Sequence, residues 1–557
     1  MSKEGINDIA ITNVRFFPIV REYASKIGLV DTINAMVDSQ METDVGLAVL
    51  MLVIDTLSYR KPLYRIAHFY NAHDLEFILG KPMDPRCLKE HNLGRILDKL
   101  YQAGTKRLFL AISQNAINAF DVDTSAVHFD TTSVSVYGDQ YPDEEGSDPL
   151  ITYGYSKDHR PDLRQFLISL LCTDRKIPVM GVVRNGNASD TNLNNEALTL
   201  VSKYLAKHGI APGASVYIAD SAMVTEDNLK VIEENNVKFV SRLPARYKEC
   251  GRVIKEAVSA DKWVDIGTIA QTKPTEKRPL ASYKVYESKV AIYDTTYRAI
   301  VVHSTAHDKR RHKRIERMID KDRKRLEQAY KETCSSAFYC LKDAQKAADE
   351  LLAKTSDLHK VSVSISEIQK FKRGRPPKDK PRQPTSIMYK VNIEIKEKSQ
   401  TVEALRQEAG CFVLFTNLAS EKEKDSFDAE KILRLYKDQH GIEQNFGFLK
   451  DPAIINSIFL KKPERIEVLG LIMLIALLIW RLMERQMRLF IDNNDVLLPG
   501  WPGRQTTKPT SFMMTTKFEH IMVVRMGDTV QLAKPLDEIQ LAYLKALEVN
   551  PDIFTPN

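Results

Sequence analysis

Between residues 121 and 245 the chain alternates apolar runs and turn residues in an order that sharply narrows its architecture. Three β-rich runs come first, SAVHFDTTSVSVYG, LRQFLISLLCTD and IPVMGVVRNGN. Helical spacing follows in NNEALTLVSKYLAKHG, then a strand, SVYIAD, a helix, TEDNLKVIEENN, and a strand, VKFVSRL. The order is βββαβαβ. Tightly spaced runs predict antiparallel neighbours, whereas strands reached through a helix predict parallel ones, because the crossover brings the chain back in its original direction.

Several α/β folds begin this way, and a ribonuclease-H-like core matches the order best. The fold class expected is therefore α/β, with that core interrupted by an insertion and preceded by a helical domain. Residues 1–120 show apolar positions three and four apart, as in DVGLAVLMLVIDTL and RILDKLYQAGTKRLFLAISQ, around a basic, aromatic stretch, YRKPLYRIAHFYNAH. Such a domain suits either DNA binding or dimerisation. The first part of the core spans 121–245. From 246 to 409 come alternating strands (SYKVYESKVAIYD, YRAIVVHS, MYKVNIEIKE), a basic helix and a Pro-rich basic segment, which together read as a β-rich insertion. The core is expected to resume at 410 with GCFVLFTN and run to 492, leaving a loop-rich C-terminal region, 493–557.

Carboxylates mark the chemistry. In HFDTTSV, Asp130 shares a strand face with His128 and Thr132, while Val127 and Phe129 face the other way. An acid inside a β-branched strand calls for a partner. In VYIADSA, Asp220 stands at the carboxyl end of an apolar strand, where open α/β sheets bind ligands. If the two strands are neighbours, both acids point to one spot and repel each other, so one stays protonated or a cation joins them. Two Mg²⁺ or Mn²⁺ ions satisfy such oxygen donors, and a metal pair ~4 Å apart serves in-line displacement at phosphate.

A third acid lies far downstream, in YKDQHGIEQNFGFLK (436–450). On one continuous helix, Tyr436, Gln439, Glu443 and Lys450 fall within about 60° of arc, close to the apolar face formed by Ile432, Leu435, Ile442, Phe446 and Leu449. A polar stripe bordering the buried face predicts that Glu443 points inward to complete the metal site. Tyr436, Gln439 and Lys450 would then grip a phosphate backbone.

With these residues the sequence resembles the DDE transposases of bacterial insertion sequences, in particular the branch marked by Y-x2-R-x3-E-x6-K and a β-rich insertion between the second Asp and the Glu. Tyr436, Glu443 and Lys450 match that signature at its spacings. Asp130 in DTTS and Asp220 in ADSAM match the contexts of the first two acids, and GNASD (186–190) looks like the family's segment after the third strand. The departure is Gln439, where the signature has Arg; an amide donates to phosphate without the charge or the bidentate fork. The resemblance implies a catalytic and metal-binding triad of Asp130, Asp220 and Glu443, which cuts transposon ends at terminal inverted repeats and transfers the freed 3′-hydroxyl to target DNA. It implies a homodimer on paired ends and neither ATP nor a covalent protein–DNA intermediate. Two alternatives remain: a related nuclease without strand transfer, and a catalytically silent, transposase-derived DNA-binding protein.

Charge distribution agrees with a DNA partner. The formal net charge is +7, yet ten Lys/Arg against three acids lie between Lys309 and Arg325, including Arg310, Arg311, Lys313 and Arg314. On a helix these suit salt-sensitive backbone contacts. In FKRGRPPKDKPR, Arg373 and Arg375 are the arginines of an AT-hook-like RGRP, which reads either as a minor-groove contact or as an extended basic linker. The longest apolar run, Val468–Trp480, has thirteen residues, short of the roughly 20 that span a bilayer, so no membrane partner is expected. The six cysteines have no metal-ligand spacing, and the N-terminus lacks a signal-peptide core, both as expected of a cytoplasmic protein acting at the bacterial nucleoid.

Overall fold

The computed structural model describes residues 9–555 apart from 138–140, 142–148, 175, 208–214, 270–279, 354–355, 375–382, 420–426, 456–457, 459 and 528. The chain divides into two compact units, Met1–Ser241 with Leu435–Asn557, and Arg242–Arg434.

The first unit begins with a strand, β1 (Ile9–Asn13), which pairs with Met522–Met526 near the other end of the chain. Helices follow: α1 (Phe17–Lys26), α2 (Leu29–Met36), α3 (Val45–Leu57), α4 (Leu63–Asn71), α5 (Leu75–Leu79), α6 (Glu90–Ala103) and α7 (Thr105–Phe120). All thirteen residues of α3 are buried, and its N-terminus is capped by Asp44, whose side chain accepts from the Leu47 N–H. The periodic run RILDKLYQAGTKRLFLAISQ is two helices, because Gly104 (φ +88°) turns the chain where a side chain would be strained.

The core strands stand where the alternation puts them: β2 (Ala126–Val136), β3 (Arg164–Thr173), β4 (Ile177–Arg184), β5 (Val216–Ala219) and β6 (Lys238–Arg242), with α8 (Asp190–Lys207) and α9 (Glu226–Glu234) as crossovers. Their order is β4-β3-β2-β5-β6. The β4–β3 and β3–β2 pairs are antiparallel, and β2–β5 and β5–β6 are parallel. That is the ribonuclease-H-like order, with the first core strand central and flanked by its hairpin partner on one side and the first crossover strand on the other.

In the second unit, α10 (Lys248–Ala260) precedes β7 (Val264–Thr268), β8 (Ser282–Ile292) and β9 (Thr295–Ser304). Next come the long α11 (Thr305–Ser335), β10 (Ala337–Phe338), α12 (Leu341–Leu352), β11 (His359–Lys370), β12 (Ser386–Glu397), α13 (Ser399–Glu408) and β13 (Cys411–Thr416). Leu326 and Tyr330 of α11 and Ala344, Ala348 and Leu351 of α12 share a small core with Val391 of β12. The run GCFVLFTN forms β13, which pairs with β9 from Cys411 opposite His303 to Thr416 opposite Arg298; the compact unit that holds it extends to Arg434. All six residues of β13 are buried; a strand apolar on both faces carries no mark of which neighbours cover it.

The chain then forms α14 (Ala429–Lys437), α15 (His440–Leu449), α16 (Pro452–Ile455) and α17 (Pro463–Asn494). At 32 residues α17 is long and apolar enough to cross a membrane by length and composition, but 83% of its most apolar window is buried inside the protein. It packs on β4, α3, α6 and α7. Close approach to the sheet depends on Gly181 of β4, where a Cβ would lie 2.6 Å from Leu474 Cδ2. The β2 side chains Val134 and Val136, on the same face as Asp130, belong to this core together with Ile442, Phe446 and Leu449 of α15.

Candidate active site

Parallel pairing of β2 with β5 ends with His128 opposite Ile218, and Asp130 and Asp220 each follow two residues later. The two acids are thus brought side by side by register alone. Asp220 leaves the strand to cap a short turn, its Oδ1 accepting from the Ala222 N–H at 2.9 Å, while its carbonyl accepts from Ser241 Oγ of β6 at 2.9 Å. Burial pushes the Asp130 carboxyl up to about 6; Lys157 and the Thr131 N–H oppose this, and the charges of Asp220 and Asp190 add to it. Asp220 is raised too, chiefly by burial and also by Asp190. His128, pushed down to about 4 by burial, is neutral and contributes no compensating charge.

Two residues without a role in the sequence reading join them. Asp190, at the start of α8, accepts from Thr131 Oγ1 at 2.5 Å. Lys157 stands between the acids, with Nζ 3.7 Å from Asp130 Oδ1 and 3.4 Å from Asp190 Oδ2, and donates to Thr131 O and Oγ1 at 2.7 Å each. Asp190 closes the GNASD segment already noted, so a sequence signal existed for it. Lys157, one cation in the loop ITYGYSKDHRPD, had none.

Glu443 does not face these acids. Its side chain is 67% exposed, and its Oε2 pairs with His440 Nδ1 at 2.7 Å. The expectation of one continuous helix fails at Asp438–Gln439, a turn that separates α14 from α15. Three i→i+3 bonds tighten the chain there: Gln439 N to Tyr436 O (3.3 Å), Gly441 N to Asp438 O (2.8 Å) and Ile442 N to Gln439 O (3.0 Å). Such steps advance about 120° per residue rather than about 100°, which rotates Glu443 away from the stripe calculated for an unbroken helix. As the side chains stand, no three His, Cys, Asp or Glu among the described residues are gathered closely enough to hold a metal ion. The donor set nevertheless suits a hard divalent cation, being carboxylate oxygens collected around an ammonium.

Although turned outward, Glu443 rides on a fixed helix. α15 packs against β2, and Asn445 Nδ2 donates to Cys172 Sγ (3.2 Å) and to Lys176 O (2.9 Å) in and after β3. Cys172 lies opposite His128, so α15 covers the sheet face that carries Asp130. From α17, Arg481 Nε donates to Asn445 Oδ1 (2.7 Å) and Nη2 to Gln444 O (3.0 Å).

Of the remaining expected residues, Tyr436 is half-buried near the end of α14 and Gln439 sits at the turn. Lys450, at the C-terminal cap of α15, is paired with Asp158 at 2.6 Å. In the second unit, Lys313 and Arg314 are exposed on α11, and Arg373 is exposed in the bend after β11. Arg375 lies outside the described residues, as do the side chains of Arg310 and Arg311. Farther along α11, Arg323 pairs with Glu327, Lys324 with Asp320 and Arg325 with Asp322, all within the helix.

A family model described as a transposase DDE domain matches residues 121–479, and one described as a domain of unknown function (DUF4277) matches residues 9–114. No curated protein matches the chain significantly. Among solved structures, the chain is similar to a piggyBac transposase seen by cryo-electron microscopy in a synaptic complex with hairpin DNA. The identity is 10% and the TM-score 0.34, over 83% of this chain and 74% of that one.

Proposed function

Because the chain belongs to the transposase DDE-domain family, whose model covers more than half of it, we propose that it binds the terminal inverted repeats of a transposable element and catalyses DNA cleavage and strand transfer. The observation that carries this reading is the placement of Asp130 and Asp220 each two residues beyond the last register pair of the parallel strands β2 and β5. Asp130 and Asp220 would hold Mg²⁺ or Mn²⁺, two ions in the working site, with Glu443 completing the set when its side chain leaves His440. Those ions supply charge neutralisation and Lewis acidity at the phosphate.

The remaining roles fall to the chain's own groups. Burial destabilises the free carboxylates of Asp130 and Asp220, which favours a bound cation over an empty acid pair. Asn445 and Arg481 hold α15 on the Asp130 face, so that Glu443 needs a change of side-chain direction, not of fold. Lys450 and Gln439 lie on either side of Glu443 along the chain and would fix the DNA backbone, Gln439 as a neutral donor. A homodimer would bring two transposon ends together.

The test is incubation of the purified protein with a duplex carrying the element's own ends and Mg²⁺, comparing wild type with Glu443→Gln and Asp130→Ala. Cleavage by wild type and its loss in both variants is the expected result; full cleavage by either variant overturns the assignment. Cleavage without joining to target DNA would favour the nuclease alternative. End binding without cleavage by wild type would favour the silent one.

A further inference from the structure

Two consecutive side chains beside the site, Lys157 and Asp158, make contacts of opposite sign with its two halves. They lie in the connection that leads into β3. Its base is closed by Thr152 and Gln165, whose backbone groups exchange bonds of 3.2 and 2.9 Å. A turn at Ser156 follows, with His159 N donating to Ser156 O (3.2 Å) and Arg160 N to Ser156 Oγ (3.1 Å). The Lys157 N–H donates to Ser133 Oγ of β2 at 3.1 Å, which sets the register of the loop on the strand that carries Asp130.

From that position the Lys157 ammonium reaches Asp130, Asp190 and both oxygens of Thr131. The Asp158 carboxylate reaches the Lys450 ammonium, which ends the helix carrying Glu443. A positive group therefore occupies the acid cluster, and a negative group occupies the lysine assigned to phosphate. Each has the charge of the reactant that its partner would meet during cleavage.

We propose that Lys157 and Asp158 form a two-sided latch that fills the DNA-free site, Lys157 in place of a divalent cation and Asp158 in place of a DNA phosphate, and that both leave together when the reactants bind. The identity of those reactants rests on the transposase reading above. The Asp158 side chain is 40% exposed, and Lys157 Nζ stands 3.7 Å from Asp130 and 3.4 Å from Asp190, beyond close ion-pair contact, which suits a latch that must release. Because the two residues are adjacent in the chain, withdrawing one loosens the other. Metal binding and DNA binding then favour each other even though they use different side chains.

The experiment uses the full-length protein and measures Mn²⁺ affinity without DNA, by the loss of the free-ion paramagnetic resonance signal, and affinity for a short end duplex without metal. Lys157→Gln should tighten Mn²⁺ about fivefold, while Lys157→Arg, which keeps the charge, should leave it near wild type. Asp158→Asn should tighten DNA by a similar factor, and this gain should vanish when Lys450 is changed to Ala. In wild type, Mn²⁺ should strengthen DNA binding, and the Lys157→Gln/Asp158→Asn double variant should lose most of that coupling. Unchanged or weaker Mn²⁺ binding in Lys157→Gln, or undetectable Mn²⁺ binding throughout, overturns the latch, as does unchanged coupling in the double variant. Asp158→Asn is a conservative change at a half-exposed site, so its DNA arm tests the latch even if Lys157→Gln fails to fold. Should wild type fail to cleave end DNA while these affinities shift as stated, the catalytic reading falls and the latch stands; wild-type cleavage with no shift has the opposite meaning.

Discussion

Arg481 Nε donates to Asn445 Oδ1 at 2.7 Å, a bond that helps tie the buried helix α17 to the helix that carries Glu443. The same guanidinium donates to Gln444 O at 3.0 Å and meets Glu484 Oε2 at 3.1 Å, so all three of its nitrogens have acceptors. Replacing Arg481 with Met takes the donor from the buried Asn445 Oδ1 and one cation from the buried Glu484, and the loss in unfolding free energy should be about 3–5 kcal/mol. Cleavage should fall further than the folded fraction does, because the Glu443 helix loses its anchor. Arg481→Lys should not rescue cleavage, since an ammonium cannot reproduce the three-directional fork. Denaturant melts and end-cleavage rates, measured on the same preparations, check both parts.

The contact between Gly181 and Leu474 yields a second prediction. A Cβ at 181 would stand 2.6 and 2.7 Å from the two Leu474 methyls, in a part of the core where Leu474 is buried. Gly181→Ala should therefore cost about 1–3 kcal/mol by overpacking. Leu474→Ala alone should cost about 2–5 kcal/mol through the cavity it opens. The double variant should be more stable than the sum of the two costs implies, because the new methyl enters space the leucine has vacated. A double-mutant cycle from urea melts measures that coupling, and strict additivity would show that the helix and strand are not in forced contact.

What the sequence made legible follows from which forces are local. The five core strands were readable because alternation and β-branched runs are written residue by residue, and the placement of Asp130 beside Asp220 followed from their order. In the sequence Arg481 is merely the residue that follows the apolar run Val468–Trp480; its burial against Asn445 depends on α15, 36 residues earlier in the chain. The turn at Asp438–Gln439 has only a weak mark in the sequence, Asp438 with Gly441 three residues on, and the helical spacing on both sides outweighs it, so the stripe from Tyr436 to Lys450 reads as unbroken. Lys157 acquires meaning only when the loop before β3 folds onto β2. Cys411–Thr416 is buried on both faces, and a strand of that kind states that it lies inside a sheet without stating which strands flank it.

In the helical N-terminal region, Asp55 gives a pH prediction of definite sign. It is buried in α3, both its oxygens accept from the Lys61 N–H, and burial pushes its carboxyl up to about 7 against the lowering effects of Lys61 and Arg60. A carboxyl whose folded value exceeds its unfolded value binds its proton more tightly in the folded state. Stability from this residue is thus full below about pH 4 and declines as pH rises toward 7, by an amount on the order of 4 kcal/mol. Asp55→Asn should remove that slope, melting well above wild type at pH 8 and near it at pH 4. Melting temperatures across that range decide the matter, and parallel curves would place the titration elsewhere.

At the site itself, the metal-free protein should be more stable without its own first acid. Burial, with Asp220 and Asp190 adding to it, raises Asp130 to about 6, so its ionised form strains the fold at neutral pH. The sign is the same as for Asp55: the contribution is complete below about pH 4 and is lost as pH climbs through 6. Lys157 and the quarter of the side chain left exposed moderate the loss, which should reach roughly 2–3 kcal/mol at pH 8. Asp130→Asn keeps the shape and the acceptor for the Thr131 N–H while removing the charge, so at pH 8 without metal it should melt several degrees above wild type. Adding Mg²⁺ or Mn²⁺ should then raise the wild-type melting temperature and leave the variant nearly unmoved, while the variant cuts no DNA. The strain that wild type carries when empty is the same free energy that favours a cation when one is offered, so the two curves should converge as metal is added. A variant less stable than wild type at pH 8 would mean that the Lys157–Asp130 attraction outweighs the cost of burial.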